Sequence, residues 1–509
     1  MTKNKSFRYW SIGVVISILV IRFVCYYVLG VTPKIYEFFN QYLPFDLLRD
    51  RPFESIWYLH MQPPFYNLLL SVLIKIFGIA GLEISHIILN IILTIFSSVA
   101  LLYICYYFLK SYALSILIVV ISFVLNPAAI VWESLVFYDT LTVSLLIFAF
   151  YFLCRYTENQ KTLYLALSSV TLSILVLTRS MFLFLFPIIL FALYFFLESR
   201  RPNIRITAGK SVVLCAIILL SLLPVFGLMA KNVVNFGFFG TASQGGCVLW
   251  EAANYAGLNE IYNPGQLNER TLRLAAYNPY ATPVQKLIEQ GFTDRTSMVP
   301  VLDRVSTIPL LISDGTPSYK DSKRLISNYN NLNMLDVCDA AGKLGMSSIR
   351  HNLPEYARLY FRQAYNFFKP STRPSMFIRI EENVRKIDLL DRVYRKALVP
   401  FSDIHILGLL FIPAVLLAAY GIIASLKRER FRVLADKQYT NWLGSANWPI
   451  FGCIIFSIIY LLMITAVGQV GDQSRYKYYV EALIFLSIAY TAKVIVGMLK
   501  LTWLRLCDS

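Results

Sequence analysis

Asp46, Glu54 and His60 stand together in the first polar stretch of an otherwise apolar chain. They run into Tyr58-Leu59-His60-Met61-Gln62-Pro63-Pro64-Phe65-Tyr66-Asn67. A carboxylate beside a His/Gln pair is a general-base arrangement, and tandem prolines set where the chain turns. The same residues also suit an amphipathic helix whose long side chains reach for water. Glu37 and Asp50 flank them as further acids. A second station holds Asn126-Pro127, Glu133 and Phe137-Tyr138-Asp139-Thr140. Two acids at the top of a helix orient a substrate or answer the helix dipole. Arg179 lies between two strongly apolar runs with no acid near it in sequence. A cation in that setting needs an anion, either a lipid phosphate or one of Asp139 and Glu133. Lys231-Asn232 precedes a glycine-bearing stretch, Phe236 to Gly246, whose backbone can approach a ligand closely. Arg475 and Lys477 follow Gly471-Asp472-Gln473-Ser474.

The elements that must position these residues are membrane helices. A 509-residue chain with 57% hydrophobic and 15% charged residues, and a mean hydropathy of +0.58, is too apolar for a water-soluble globule. Runs near the roughly 20 residues a spanning helix needs occur at about 10–30, 84–108, 112–126, 137–154, 162–178, 181–197, 209–230, 403–426, 449–467 and 478–499. The net charge of +17 does not indicate nucleic acid, because much of the excess flanks apolar runs. The N-terminus resembles a signal sequence but lacks a small-residue cleavage site, so it reads as a retained first helix.

The basic clusters Lys3–Arg8, Arg200–Lys210 and Lys427–Lys437 are placed inside by the positive-inside rule. Counting from them puts Glu133, Asp139, Arg179 and residues 31–80 outside, and both termini inside. The apolar stretch 65–79 then cannot cross and reads as a helix on the outer face. Ten spans result, eleven only if one cluster breaks the rule. Arg475 and Lys477 are outer cations that run against the charge rule. The long segment 231–402 has turn signals at Asn263-Pro264-Gly265 and Asp314-Gly315, and helical periodicity around 320–366 and 376–396. The expected organisation is a transmembrane core over 1–230, an extracytoplasmic domain over 231–402 and terminal helices over 403–509. Of eight cysteines, only Cys247 and Cys338 lie in the polar segment, where an oxidising compartment would let them pair.

In order and sidedness these stations resemble the GT-C superfamily. The features are the acids of the first outer loop, His-x-Gln-Pro-Pro-Phe-Tyr-Asn, Asn-Pro…Glu…Phe-Tyr-Asp, a lone outer Arg, Lys-Asn…Phe-Gly, and Gly-Asp-x-x-Arg-Tyr-Lys. These are membrane glycosyltransferases using polyprenyl-phosphate-linked sugars, and the chain most resembles the protein O-mannosyltransferase-like and lipid-A aminoarabinose-transferase-like families of bacteria. The resemblance covers 1–230 and 400–500. It implies an all-α polytopic fold of about 10–11 spans with outer-face loop helices and a mostly helical insert, in the bacterial plasma membrane with the site facing out. It also implies inverting transfer to a lipid, glycan or protein acceptor among membrane lipids. Asp46, with Glu54 and His60 beside it, becomes the candidate base; Glu37 and Asp50 stay open as alternatives. Arg179, Lys231, Arg475 and Lys477 become donor-phosphate ligands, and Gln62, Glu133, Tyr138 and Asp139 orient substrate. No metal ligand set is legible, and dependence on a divalent metal stays open. A transporter or flippase of lipid-linked glycans is the competing reading; it predicts midplane charges and two similar halves, and neither is evident.

Overall fold

The computed structural model describes residues 3–33, 35, 42–185, 208–255, 268–275, 291, 295, 297–302, 305–306, 326–327, 330–368, 381–398, 405–426, 448–468 and 473–508. Glu37, the turn signals at 263–265 and 314–315, most of 181–197, and the basic runs at 200–205 and 427–437 lie outside them.

The chain is helical almost throughout. α1 (Lys3–Phe23) continues into a π-helical stretch, Val24–Val28. The first loop carries α2 (Phe45–Asp50), α3 (Pro52–Trp57) and α4 (Phe65–Phe77). Then come α5 (Leu82–Leu109), α6 (Tyr112–Val119) with a second π-helical stretch Val120–Val124, α7 (Pro127–Glu133), α8 (Asp139–Asn159) and α9 (Thr162–Thr178). α10 (Ala208–Phe236) leads into the polar insert, with α11 (Gly245–Tyr255), α12 (Glu269–Ala275), α13 (Asn333–His351), α14 (Leu353–Phe367), α15 (Glu381–Lys386) and α16 (Asp388–Leu398). α17 (His405–Leu426), α18 (Trp448–Gly468) and α19 (Gln473–Asp508) close the chain. The strand pairing among the described residues is a two-residue antiparallel ribbon, Val305–Ser306 with Ile326–Ser327.

Among the described residues six helices are long and apolar enough to cross a membrane. Tyr112–Val124 with Pro127–Glu133, bent by 45°, makes a seventh if the pair is one span. The molecule is therefore a multi-pass helical membrane protein. Thr162–Thr178 and Leu410–Tyr420 are shorter apolar helices. α4 has 13 residues, about 20 Å at 1.5 Å per residue, against a hydrocarbon core of about 30 Å. It is too short to span.

Turns at the bundle ends are tight. α5 stops at Lys110 (φ 54°) and α8 at Gln160 (φ 55°), each a left-handed residue closing the last helical turn. Inside the bundle there is little hydrophobic drive between helices, so small and polar side chains set the contacts. Ser168 Oγ of α9 donates to the Ala149 carbonyl of α8 at 3.0 Å. α5 turns a polar stripe inward with Asn90, Thr94, Ser97 and Ser98. The insert docks on the bundle: Asn383 of α15 donates to the Thr32 carbonyl at 2.9 Å and to Ser134 Oγ at 3.1 Å. Phe367 and Ile387 join the bundle's main apolar cluster.

Within the insert, α11 and α13 cross at glycines. A Cβ at Gly246 would fall 1.8 Å from the Cys338 carbonyl oxygen, and one at Gly345 2.8 Å from the Leu249 backbone. Only glycine allows that approach. Cys247 and Cys338 form a disulfide across the crossing, with Cα atoms 4.8 Å apart.

Candidate functional site

The start of α8, the end of α9 and the start of α19 meet at one end of the bundle, and each brings a charge. Asp139 opens α8, Arg179 caps α9, and Arg475 lies in the first turn of α19. All three are buried. Arg475 Nε donates to Asp139 Oδ1 at 2.9 Å, across 336 residues of sequence. Arg179 Nη1 lies 4.0 Å from the same oxygen. Its hydrogen bonds among the described residues go to neutral groups, the hydroxyls of Tyr479 at 2.5 Å and Tyr476 at 2.7 Å. Tyr479 also donates to Asp139 Oδ1. Aromatic faces line the cluster: the Arg179 guanidinium sits 4.7 Å from the rings of both Tyr138 and Tyr476, and that of Arg475 4.4 Å from Phe137. Asp139 Oδ2 has no hydrogen-bond partner among the described residues. Two guanidiniums thus face one carboxylate in a low-dielectric, aromatic-walled setting. Such a setting favours a further anion.

The other candidates divide clearly. Glu133 is fully buried and taken by Arg22, whose Nε and Nη2 donate to its two oxygens at 2.6 and 2.8 Å. Thr94 donates to Glu133 Oε1 at 2.7 Å, and Asn90 to the Glu133 carbonyl at 2.9 Å. Arg22 also donates to the carbonyls of Phe123 and Val124 at 2.7 and 3.0 Å. These carbonyls belong to the π-helical stretch, where the regular ladder is interrupted. The pair is a fixed internal clamp between α1, α5 and α7. Lys477 pairs with Glu481 one turn along α19 at 2.9 Å, both buried, and Asn126 Nδ2 donates to the other Glu481 oxygen at 2.9 Å.

His60 is walled in as well. Its Nε2 lies 2.9 Å from the Asn330 carbonyl and its Nδ1 2.9 Å from Ser243 Oγ. A carbonyl only accepts, so Nε2 carries the proton and Nδ1 accepts from the serine. Burial holds the imidazole neutral, with its pKa pushed down to about 3. The one lone pair is already occupied, so His60 serves this junction rather than an incoming hydroxyl. Asn330 locks the same turn, accepting from the His60 amide at 2.8 Å and donating to the Tyr58 carbonyl at 2.9 Å. Lys231 Nζ donates to the Leu59 carbonyl at 2.6 Å, and Gln62 donates to Gln244. Both tie the first loop to the start of the insert.

The first-loop acids remain. Asp50 is exposed and engaged by Arg49 at 2.7 and 2.8 Å. Glu54 lies 3.5 Å from Arg51. Asp46, in the first turn of α2, is half-buried and has no hydrogen bond or ion pair among the described residues. Its helix is fastened to α4, by the Leu43 amide to Asn67 Oδ1 and by Ser71 Oγ to the Leu48 carbonyl, each at 2.8 Å. Tyr66 of α4 packs edge-on against Tyr138 at 5.5 Å. Tyr138 in turn underlies Arg179. A packed path therefore joins the Asp46 helix to the guanidinium cluster. Neither Arg22 nor Tyr479 stands among the residues singled out from the sequence, and Tyr476 appears there only within the Arg-Tyr-Lys motif; a lone arginine within the first apolar run was the available signal for Arg22. Among the described residues no three His, Cys, Asp or Glu side chains converge as a metal site would require. Comparison of the chain with protein-family models, with curated proteins and with solved structures found no match, so any functional reading must rest on this geometry and on the pattern of the sequence.

Proposed function

We propose that this chain is a GT-C-type membrane glycosyltransferase that moves a sugar from a polyprenyl-phosphate donor to an acceptor at the outer face. The observation that carries the reading is the convergence of Arg179 and Arg475 on Asp139, linked through Tyr138 and Tyr66 to α4, against which the Asp46 helix packs. Asp46 takes the proton of the acceptor hydroxyl as its oxygen bonds to the anomeric carbon. The bond from that carbon to the phosphate oxygen breaks on the opposite side, which inverts the centre. The leaving phosphate gathers charge, and Arg179 with Arg475 stabilises it. Asp139 holds Arg475 in place, and Tyr138, Tyr476 and Tyr479 orient Arg179. Lys477 and Glu133 act structurally in this scheme. The buried disulfide supports an oxidising compartment for the insert, in keeping with the charge-derived topology.

The test uses full-length protein in nanodiscs. Mass spectrometry of co-purified lipid should find a polyprenyl phosphate or its glycosylated form. Transfer from such a donor, measured with and without chelator, should fall at least a hundredfold in Asp46→Asn and in Arg179→Ala. Arg179→Ala should also lose the lipid. Unchanged transfer in both variants overturns the site. A flippase of lipid-linked glycans is the second reading, favoured by the Arg22–Glu133 charges inside the bundle. It expects lipid movement across proteoliposomes without a new glycosidic bond.

A further inference from the structure

An open groove of about 730 Å³ runs along α13 in the insert, away from the guanidinium cluster. Asp336, Asp339, Lys343, Ser347 and Arg350 line it at helical spacing, so one face of α13 forms a wall about 22 Å long. Its further lining runs from Phe236, the last residue of α10, to Gly246 in the first turn of α11. Phe236 and Phe238 stack there with ring centroids 6.4 Å apart and planes at 25°.

We propose that this groove binds a saccharide chain, and that this saccharide is the acceptor of the transfer. The wall carries both signs of charge in fixed positions: Arg295 pairs with Asp336 at 2.9 Å and Lys343 with Asp339 at 2.6 Å. Pairs this exposed add little to stability, but they hold donors and acceptors ready for hydroxyl groups. The aromatic end offers ring faces to the C–H surface of a sugar. A lipid chain is disfavoured by so many charges. A peptide that adds a strand needs an exposed sheet edge, and one that docks as an amphipathic helix needs an apolar trough; the walls here are a charged helix face and a glycine-bearing loop. The groove also starts in the right place. Ser243, on its edge, donates its amide to the His60 carbonyl at 2.8 Å, so a bound chain ends against the first loop.

Binding stands on the groove alone; the acceptor role rests on the transferase reading above. The full-length protein in labelled nanodiscs would be applied to an oligosaccharide array and, in parallel, to a peptide array. The best-retained oligosaccharide would then be titrated by thermophoresis. Retention of glycans, with affinity falling at least tenfold in both Lys343→Ala and Phe238→Ala, is the expected result. Formation of the Cys247–Cys338 bond reports that each variant is folded. Co-purified donor lipid should persist in both variants, which separates this groove from the guanidinium site. Absence of glycan binding, retention of peptides alone, or unchanged affinity in both folded variants overturns the proposal. Glycan binding without any lipid or transfer would leave the groove standing and remove the transferase.

Discussion

Replacing Arg22 by Met keeps most of the aliphatic stem and removes the charge that Glu133 depends on. Four hydrogen bonds disappear, two to Glu133 and two to the carbonyls of Phe123 and Val124. Glu133 keeps Thr94 at 2.7 Å and a long contact from Tyr26 at 3.5 Å, while its side chain stays fully buried. A single interhelical hydrogen bond in a membrane contributes only about 0.6 kcal/mol on average, since the unfolded reference also finds partners. Hydrogen bonds alone would then account for roughly 2 kcal/mol over four contacts. An uncompensated buried charge costs more, about 3–5 kcal/mol when one side of a pair is removed. The charge term therefore decides, and Arg22→Met should lose about 3–5 kcal/mol. Arg22→Met/Glu133→Gln removes both charges and should recover to within about 2 kcal/mol of wild type. Detergent-driven reversible unfolding in mixed micelles reads the difference, with the buried Trp132 beside Glu133 as a fluorescent reporter. A double variant as unstable as the single one would refute the reasoning, because the loss would then lie in packing or hydrogen bonds and not in the stranded carboxylate.

Acid should act through His60. Its pKa of about 3 in the folded protein lies below the ordinary 6.5, so between those values the unfolded chain binds more protons. The stabilisation is complete above about pH 6.5 and falls by up to about 1.4 kcal/mol per pH unit as pH drops toward 3; a His60→Gln variant should show a correspondingly flatter pH dependence of unfolding, and an identical slope would remove His60 as the cause. At the α11–α13 crossing, Gly246→Ala places a methyl group against the Cys338 carbonyl, so free-thiol labelling of Cys247 and Cys338 should rise sharply while the bundle stays intact. Reducing the same disulfide in the wild type opens a loop closed across 91 residues, a loss of roughly 4–5 kcal/mol on chain entropy. Limited proteolysis should then cut the insert before the membrane helices; cleavage at equal rates with and without reductant would count against that estimate.

Several features were legible before any coordinates. Hydropathy marked the six helices that are long and apolar enough to span, because membrane insertion depends on the summed apolarity of a continuous segment, a property local to the sequence. Of the other four segments expected to span, 112–126 is part of a bent pair, 162–178 and 403–426 show shorter apolar helices, and most of 181–197 lies outside the described residues. The brevity of α4 followed from charge counting and segment length. The Cys247–Cys338 pair was available because no other cysteine lies in the polar insert, and a pairing of Lys477 with Glu481 could have been read from their one-turn spacing. The partners of the remaining charges were not legible. Arg22 meets Glu133 across 111 residues and Arg475 meets Asp139 across 336. Which charge faces which depends on how helices rotate and cross, and that is decided by close packing of side chains distant in sequence. His60 shows the same limit: beside Gln62 and two prolines it reads as a base, yet Asn330 and Ser243, both from the insert, occupy its nitrogens. Sequence alone located the polar stations between the apolar runs. Tertiary packing decided which of them are clamped into internal pairs, as Arg22 with Glu133 and Lys477 with Glu481, and which, like Asp46, make no ion pair among the described residues.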